Sequence, residues 1–278
     1  MSFEKVNEIL KDADKRGTAV LAFDTFNYES IAWLINAAEE LQIPVIQMLF
    51  PAMKSHIPFD AYAANVRTLA KKVKIPIGLH LDHSKSYEEI LSAIHGGFTS
   101  VMFDGSVLPY EENVRLTSKV VEAAHAMDVA VEAELGLVGF AKNTDDFQNK
   151  SHYTKPEDAK DFIEKTGVDS LAVAIGSAHG FYVETPVLDL ELLKRINAIT
   201  DTPLVLHGGT GIPDDQLKKA FKLGINKLNV GTELNNLFYI KTKEIIDSDA
   251  AKNNYGAFLH SFKDAAEEYY RNKISLVK

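Results

Sequence analysis

Three histidines, His83, His179 and His207, follow short apolar segments of the sequence. A catalytic zinc ion typically takes three protein ligands and leaves one position open for a substrate. The chain contains no cysteine, so a metal ion would be held by imidazole and carboxylate groups. A lone histidine is more often a hydrogen-bonded structural residue, but three at equivalent positions favour a Zn²⁺ site.

Several carboxylates lie close to these histidines in the sequence. Asp82 precedes His83 and is a candidate general acid/base, with N-capping of the following helix as the alternative. Asp104 and Glu134 would either hold a second cation or orient the imidazoles through their free ring nitrogens. His80 lies three residues before His83, so strand alternation places it on the opposite face, where it would either support a metal ligand without binding the ion or have a structural role.

Two glycine-containing segments predict an anion site. HGGTGIP (207–213) and NVGTEL (229–234) combine glycine, which permits close backbone approach, with a helix start, which supplies free N–H groups. The loops after the last two strands are the usual phosphate site of a barrel. Lys222 and Lys227, which lie nearby in the sequence, are interpreted as solvated surface charges.

The elements that would position these residues are eight short apolar, β-branched segments, typical of buried parallel strands. They occupy 18–23, 44–49, 77–83, 100–104, 130–136, 170–176, 203–208 and 226–231. Segments with helical period lie between them, including 28–41, 111–127 and 187–199. Eight strand–helix alternations without a linker favour an α/β fold of the (β/α)₈ TIM-barrel type over an open doubly wound sheet.

The predicted barrel forms a single domain over residues 1–278, with an N-terminal helix at 3–15 and a C-terminal helical extension at 233–247 and 257–273. Active sites of such barrels lie at the carboxyl ends of the strands, so the histidines and carboxylates would meet at one rim. The long polar connection from Gly136 to Pro156 is interpreted as a lid, with a tolerated surface insertion as the alternative.

Composition narrows the classes of partner. With 39 acidic and 30 basic side chains, the net charge of −9 offers no basic field for nucleic acid. No apolar run approaches the roughly 18 residues of a membrane span. We therefore expect a cytoplasmic protein with a small-molecule ligand, no nucleic acid and no membrane.

Four motifs together resemble the class II metal-dependent ketose-bisphosphate aldolases, which include fructose- and tagatose-1,6-bisphosphate aldolases. They are LDH at 81–83, GSAHG at 176–180, LHGGTG at 206–211 and NVGTEL at 229–234, and the similarity covers most of the chain. The resemblance implies a zinc enzyme that splits a ketose phosphate reversibly into dihydroxyacetone phosphate and an aldehyde.

The resemblance also implies roles for individual residues. His83, His179 and His207 correspond to the catalytic zinc ligands, Asp82 to the acid/base, and Asp104 with Glu134 to a second divalent cation site. Asn229 would hydrogen-bond the enediolate. The dihydroxyacetone phosphate end would be held, partly through a monovalent cation (Na⁺ or K⁺), by Gly180, Gly208, Thr210 and the segment that contains Gly231 and Thr232.

The chain departs from the family pattern on the aldehyde side. Phe50 stands where a hydroxyl residue commonly lies near the far phosphate, Val183 where a lysine commonly follows HGxY, and Lys142 in place of the catalytic lid glutamate. We therefore expect an altered aldehyde. Sulfolactaldehyde from 6-deoxy-6-sulfofructose 1-phosphate, or a semialdehyde, competes with glyceraldehyde 3-phosphate.

Three further points stay open at this level. Asp145 or Asp146 would replace the missing lid acid, and Arg271 would either reach a site, such as that of a neighbouring subunit, or serve the surface. The resemblance implies a homodimer or homotetramer. The alternatives to an altered aldolase are a non-catalytic aldolase-like partner subunit, a classical fructose- or tagatose-1,6-bisphosphate aldolase, and a barrel isomerase or epimerase.

Overall fold

Eight parallel strands close into a barrel in the computed structural model, which describes residues 2–249 and 251–278. Each strand pairs with the next along the chain, and β8 pairs with β1. The strands are β1 (Val20–Asp24), β2 (Val45–Leu49), β3 (Ile77–Ser84), β4 (Ser100–Phe103), β5 (Ala130–Leu135), β6 (Ser170–Val173), β7 (Leu204–Leu206) and β8 (Ile225–Val230). The predicted (β/α)₈ TIM-barrel fold is confirmed.

Helices surround the barrel and extend it at both chain ends. They are α1 (Val6–Lys15), α2 (Tyr28–Leu41), α3 (Phe59–Ala70), α4 (Tyr87–Gly96), α5 (Tyr110–Ala126), α6 (Thr144–Gln148), α7 (Pro156–Thr166), α8 (Leu190–Asn197), α9 (Asp214–Lys222), α10 (Thr232–Asp247) and α11 (Tyr255–Ile274). The predicted helix at 28–41 has these bounds because the Asn27 side chain caps its first turn by accepting from the Ser30 N–H. No helix of the described residues is both long and apolar enough to span a membrane.

Helix α1 packs against one group of barrel residues. Its buried residues Val6, Ile9 and Leu10 form an apolar cluster with Val20, Ala22, Ile46 and Met48 of β1 and β2. Gly78 of β3 belongs to the same contact, since a Cβ there would lie 2.9 Å from Val6 Cγ2. Helix α1 is therefore held to the barrel by apolar contacts with β1, β2 and β3.

We expect Leu10→Ala to lower the free energy of unfolding by about 2–5 kcal/mol, because it opens a cavity in this cluster. Equilibrium urea denaturation measures the change. Lys11→Ala is the matched control, since Lys11 is exposed on the same helix and should change stability by less than about 0.5 kcal/mol. Equal stability of the two variants would show that α1 does not support the barrel.

Candidate active site

A cavity of about 360 Å³ opens at the carboxyl ends of the strands, and it contains most of the predicted functional residues. Ends of strands and the loops that follow them supply its walls. The lining residues are Asp24, Phe26, Phe50, Met53, Asp82, His83, His179, Gly180, Gly208, Gly209, Thr210, Asn229, Val230, Gly231, Thr232 and Asn235.

The three predicted metal ligands come together beside this cavity. His83, His179 and His207 can each offer a ring nitrogen such that these atoms all lie within 4.8 Å of one another. His83 reaches the group because its backbone adopts φ 42° at a point where the β3–β4 register shifts. This irregularity interrupts the regular alternation of β3 between His80 and His83. The prediction that these two side chains lie on opposite faces, which assumed regular alternation, therefore does not hold.

Each imidazole uses its other ring nitrogen to hold its orientation. His83 Nδ1 lies 3.2 Å from Asp104 Oδ2, and His179 Nδ1 lies 3.2 Å from the Val138 carbonyl. His207 Nε2 lies 2.9 Å from Glu132 Oε1. Metal-bound histidines typically donate their second N–H to such acceptors, which fixes the ring and its tautomer.

The inward nitrogens fit a metal ion. His179 Nε2 is buried without a hydrogen-bond partner among the described residues, and His83 Nε2 lies only 2.7 Å from His207 Nδ1. A buried, unpaired imidazole nitrogen carries a desolvation cost that a bound cation would remove. Three nitrogen donors without a thiolate are the ligand set of a catalytic zinc site.

The three imidazole rings differ in pKa. Burial lowers the pKa of His179 to about 3, and the positive charge of His83 adds to the shift. Burial and the charge of His83 likewise lower the pKa of His207. Burial also opposes charge on His83, but Asp82, Asp104 and Glu134 outweigh it and raise the pKa to about 10. Two neutral imidazoles therefore lie beside one that attracts a proton or a cation.

Asp82 is placed to act as a base. Burial alone would raise the pKa of Asp82, but electrostatic interactions with its neighbours, above all the positive charge on His83, outweigh burial and lower it. Asn229 Nδ2 donates to Asp82 Oδ1 at 2.9 Å, while Asn229 Oδ1 is buried and has no hydrogen-bond partner in the part of the chain that the structure describes. The N-cap of α4 is Ser86 instead, so the capping alternative for Asp82 is wrong.

Asp104 and Glu134 form a second group with His83, whose ligand atoms also lie within 4.8 Å of one another. Burial would raise the pKa of Asp104, but hydrogen bonds from His83 and Ser106 outweigh it and lower the pKa. Burial raises the pKa of Glu134 to about 8, and no described residue forms a hydrogen bond with the buried Glu134 Oε2. Both sequence alternatives therefore have geometric support, since Asp104 orients His83 and the group could also hold a cation.

A buried ion pair lies below the histidines, inside the barrel. Lys227 Nζ donates to Glu132 Oε2 at 2.7 Å, and both side chains are fully buried. The interpretation of Lys227 as a surface charge is therefore wrong, because the inward face of a barrel strand can hold a charge only when it is paired. His80 completes this layer, with Nδ1 2.7 Å from Ser100 Oγ and Nε2 4.0 Å from Glu132.

The predicted phosphate residues Gly180, Gly208, Thr210, Gly231 and Thr232 all line the cavity. Gly208 has φ 68°, and a Cβ there would lie 2.2 Å from the Ala178 carbonyl oxygen, so only glycine fits. The Tyr182 hydroxyl connects the loop after β6 with the loop after β7. It accepts a hydrogen bond from the Ala178 N–H at 2.7 Å and donates one to the Gly208 carbonyl at 3.1 Å. Thr232 begins α10, whose positive end suits an anion.

The long connection from Gly136 to Pro156 packs over the loop that carries His179. The His179 N–H donates to the Gly139 carbonyl at 2.8 Å, and the Ala141 N–H donates to the His179 carbonyl at 2.9 Å. Phe147 of α6 is buried with Ala141 and Ala178. This segment therefore helps to fix a predicted metal ligand, which goes beyond a tolerated insertion.

Of the three residues predicted to lie on the aldehyde side, the structure places one at the cavity and two away from it. Phe50 lines the cavity, whereas Lys142 is exposed and is not among the lining residues. Arg271 pairs with Glu40 at 3.1 Å and Glu267 at 3.9 Å on the protein surface, so within this chain it serves α11 and not the cavity. This matches the surface alternative for Arg271.

The lid carboxylates are also engaged elsewhere. Asp146 accepts from the Phe140 N–H and from Asn143 Nδ2, each at 2.6 Å. Asp145 accepts from Asn149 Nδ2 at 3.2 Å and lies exposed. Neither lines the cavity, so the structure does not bring the proposed replacement for the lid acid to the histidines.

One cavity carboxylate was missed by sequence reasoning. Asp24 ends β1, and its Oδ1 is buried without a hydrogen-bond partner within residues 2–249 and 251–278. Burial, reinforced by the neighbouring charge of Asp82, raises the pKa of Asp24 well above its usual range. Its position at the end of a strand was the available signal, and the same criterion selected Asp82 and Asp104.

Lys227→Met should lower the free energy of unfolding by about 3–5 kcal/mol, because the buried Glu132 charge loses its partner. Chemical denaturation of the purified variants measures this loss, and adding Glu132→Gln to Lys227→Met should recover part of it. Lys222→Met is the control, since Lys222 is exposed. A loss in Lys227→Met no larger than in the control would contradict the buried pair.

Comparison with known proteins gives a consistent match. The family model described as fructose-bisphosphate aldolase class II matches residues 4–278. The YdjI aldolase from Escherichia coli K12 is 34% identical, with a TM-score of 0.88 over 99% of this chain and 97% of that chain.

Two further solved structures are similar. One is a putative fructose-1,6-bisphosphate aldolase from Coccidioides immitis, with 28% identity and a TM-score of 0.87 over 98% of this chain and 96% of that chain. The other is a fructose-bisphosphate aldolase from Campylobacter jejuni, with 24% identity and a TM-score of 0.82 over 98% of this chain and 93% of that chain, a likeness of fold.

Proposed function

Because this chain belongs to the class II fructose-bisphosphate aldolase family, we propose that it is a zinc-dependent aldolase that cleaves a ketose phosphate into dihydroxyacetone phosphate and an aldehyde. The observation that carries this proposal is the cluster of His83, His179 and His207, of which His83 and His179 line one cavity together with the carboxylate of Asp82. These four side chains supply the metal ligands and the base that the cleavage needs.

Zn²⁺ held by the three imidazoles would supply Lewis-acid stabilisation of negative charge on the ketose oxygens. Asp82 accepts the proton of the C4 hydroxyl, and the C4–O electron pair forms the aldehyde carbonyl as the C3–C4 bond breaks. The electrons of that bond pass to C3 and the C2 carbonyl, and they form an enediolate. The low pKa of Asp82 keeps it in the carboxylate form that this step requires.

Asn229 positions the base and the enediolate. Its Nδ2 holds Asp82 Oδ1 at 2.9 Å, and its unpartnered Oδ1 can accept a hydrogen bond from a substrate hydroxyl. The enediolate then gains a proton at C3, which balances the proton that Asp82 took from the C4 hydroxyl, and dihydroxyacetone phosphate is released. Its phosphate would lie at Gly208, Thr210, Gly231 and Thr232, partly through a monovalent cation. Asp104 and Glu134 would hold a second divalent cation.

We propose an aldehyde other than glyceraldehyde 3-phosphate, because Phe50 faces the cavity where a phosphate would need a donor. The substrates to be compared include those of the two anionic aldehydes that the sequence suggests, sulfolactaldehyde and a semialdehyde, and the classical fructose- and tagatose-1,6-bisphosphates. A homodimer or homotetramer is proposed from family likeness. The partner-subunit alternative predicts a broken ligand set, whereas here all three histidines converge.

The test combines zinc content with release of dihydroxyacetone phosphate in a coupled assay. We expect about one bound zinc per chain and chelator-sensitive release from at least one ketose phosphate. His179→Ala should lower both the zinc content and the rate, the latter by more than about 100-fold, the upper range for loss of a group that only orients a metal ligand.

His95→Ala is the matched control, since His95 is exposed at the end of α4 and should leave zinc content and rate unchanged. Zinc binding without release from any substrate would favour the partner-subunit alternative. Release that survives both chelation and His179→Ala would contradict the metal mechanism.

A further inference from the structure

The cavity has two chemically different walls. The loops after β6, β7 and β8 supply glycines, threonines and the N-terminus of α10, which suit a phosphate group. The segments after β1 and β2 supply Phe26, Phe50 and Met53 instead. Phe50 is 45% exposed although it is a large apolar residue, so its ring is available to a ligand in the cavity.

The cavity wall that contains Phe26, Phe50 and Met53, called the second wall here, has no cationic side chain among its described residues. Among the described residues, those that line the cavity include no lysine and no arginine. An anion held against Phe50 would therefore find no lysine or arginine of the cavity wall to pair with, and the wall also carries the carboxylates of Asp24 and Asp82.

The cations that flank the lining segments are already engaged by carboxylates. Lys54, which follows Met53, donates to Glu89 Oε1 at 2.5 Å. Lys85, just after β3, lies 3.8 Å from Asp104 Oδ2, and Lys273 donates at 3.0 Å to Glu233 in the first turn of α10. Moving any of them to a substrate anion would break an existing ion pair.

From this asymmetry, and resting on the proposed aldolase function, we infer that the natural substrate is a ketose 1-phosphate whose far end carries no charge. The aldehyde product is then neutral, with an apolar or deoxygenated end that contacts Phe26, Phe50 and Met53. Apolar contact with these side chains supplies binding energy that a charged end would forfeit.

Substrate pairs of equal configuration test the inference. We would compare kcat/KM for D-fructose 1-phosphate with D-fructose 1,6-bisphosphate, and for D-tagatose 1-phosphate with its 1,6-bisphosphate. In the condensation direction, dihydroxyacetone phosphate would be offered lactaldehyde, glyceraldehyde 3-phosphate, sulfolactaldehyde and succinic semialdehyde. We expect kcat/KM for the uncharged substrate of each comparison to exceed kcat/KM for every charged substrate by at least about tenfold, equivalent to 1.4 kcal/mol.

Variants of Phe50 and Lys142 test which part of the protein sets the substrate preference. Phe50→Lys should shift the charged-to-uncharged kcat/KM ratio toward the charged substrates by at least about tenfold, equivalent to 1.4 kcal/mol. Phe50→Leu, which keeps an apolar side chain, should retain the wild-type preference. Lys142→Ala should leave the ratio unchanged, because Lys142 does not line the cavity. Zinc content and circular dichroism verify that each variant is folded.

A wild-type preference for a charged substrate would overturn the inference while leaving the aldolase function intact. If Lys142→Ala abolished that preference, the lid would be the anion site. If Lys142→Ala preserved it, the cation would come from outside the cavity. Absence of release from every substrate, with zinc bound, would instead contradict the aldolase function on which the inference rests.

Discussion

The closure of eight parallel strands into one ring is the constraint on which this site depends. Every strand ends at the same rim, so side chains that are far apart in sequence become neighbours without long loops to carry them. His83 and His207 are 124 residues apart in sequence, yet their ring nitrogens lie 2.7 Å apart. A site built on strand ends also inherits the rigidity of the sheet, which suits a metal ion with strict ligand geometry.

The same closure makes the barrel interior costly for charge, and the structure compensates by pairing. Glu132 accepts from Lys227 with one oxygen and lies beside His207 with the other, so one carboxylate balances a buried cation and orients a proposed metal ligand. The charge of His83 is balanced by Asp82 and Asp104. Because each group depends on its neighbours, the site is a connected network in which removal of one member leaves another unpaired.

The fold and the central residues followed from sequence because both depend on strong local patterns. Each of the eight strands was visible as a short apolar segment, and residues at their ends were brought together by the barrel. The burial of Lys227 could not be predicted, because the sequence of a strand does not show whether a lysine side chain points into the barrel or toward solvent. The positive φ of His83 and the surface position of Arg271 likewise depend on tertiary contacts that no single segment encodes.

The claim central to this account is that His83, His179 and His207 jointly hold one zinc ion. Anomalous diffraction at the zinc absorption edge, from crystals of the protein grown with zinc, tests it most directly. The account predicts a single strong anomalous peak among the three imidazoles. No peak there, or a peak only beside Asp104 and Glu134, would contradict it.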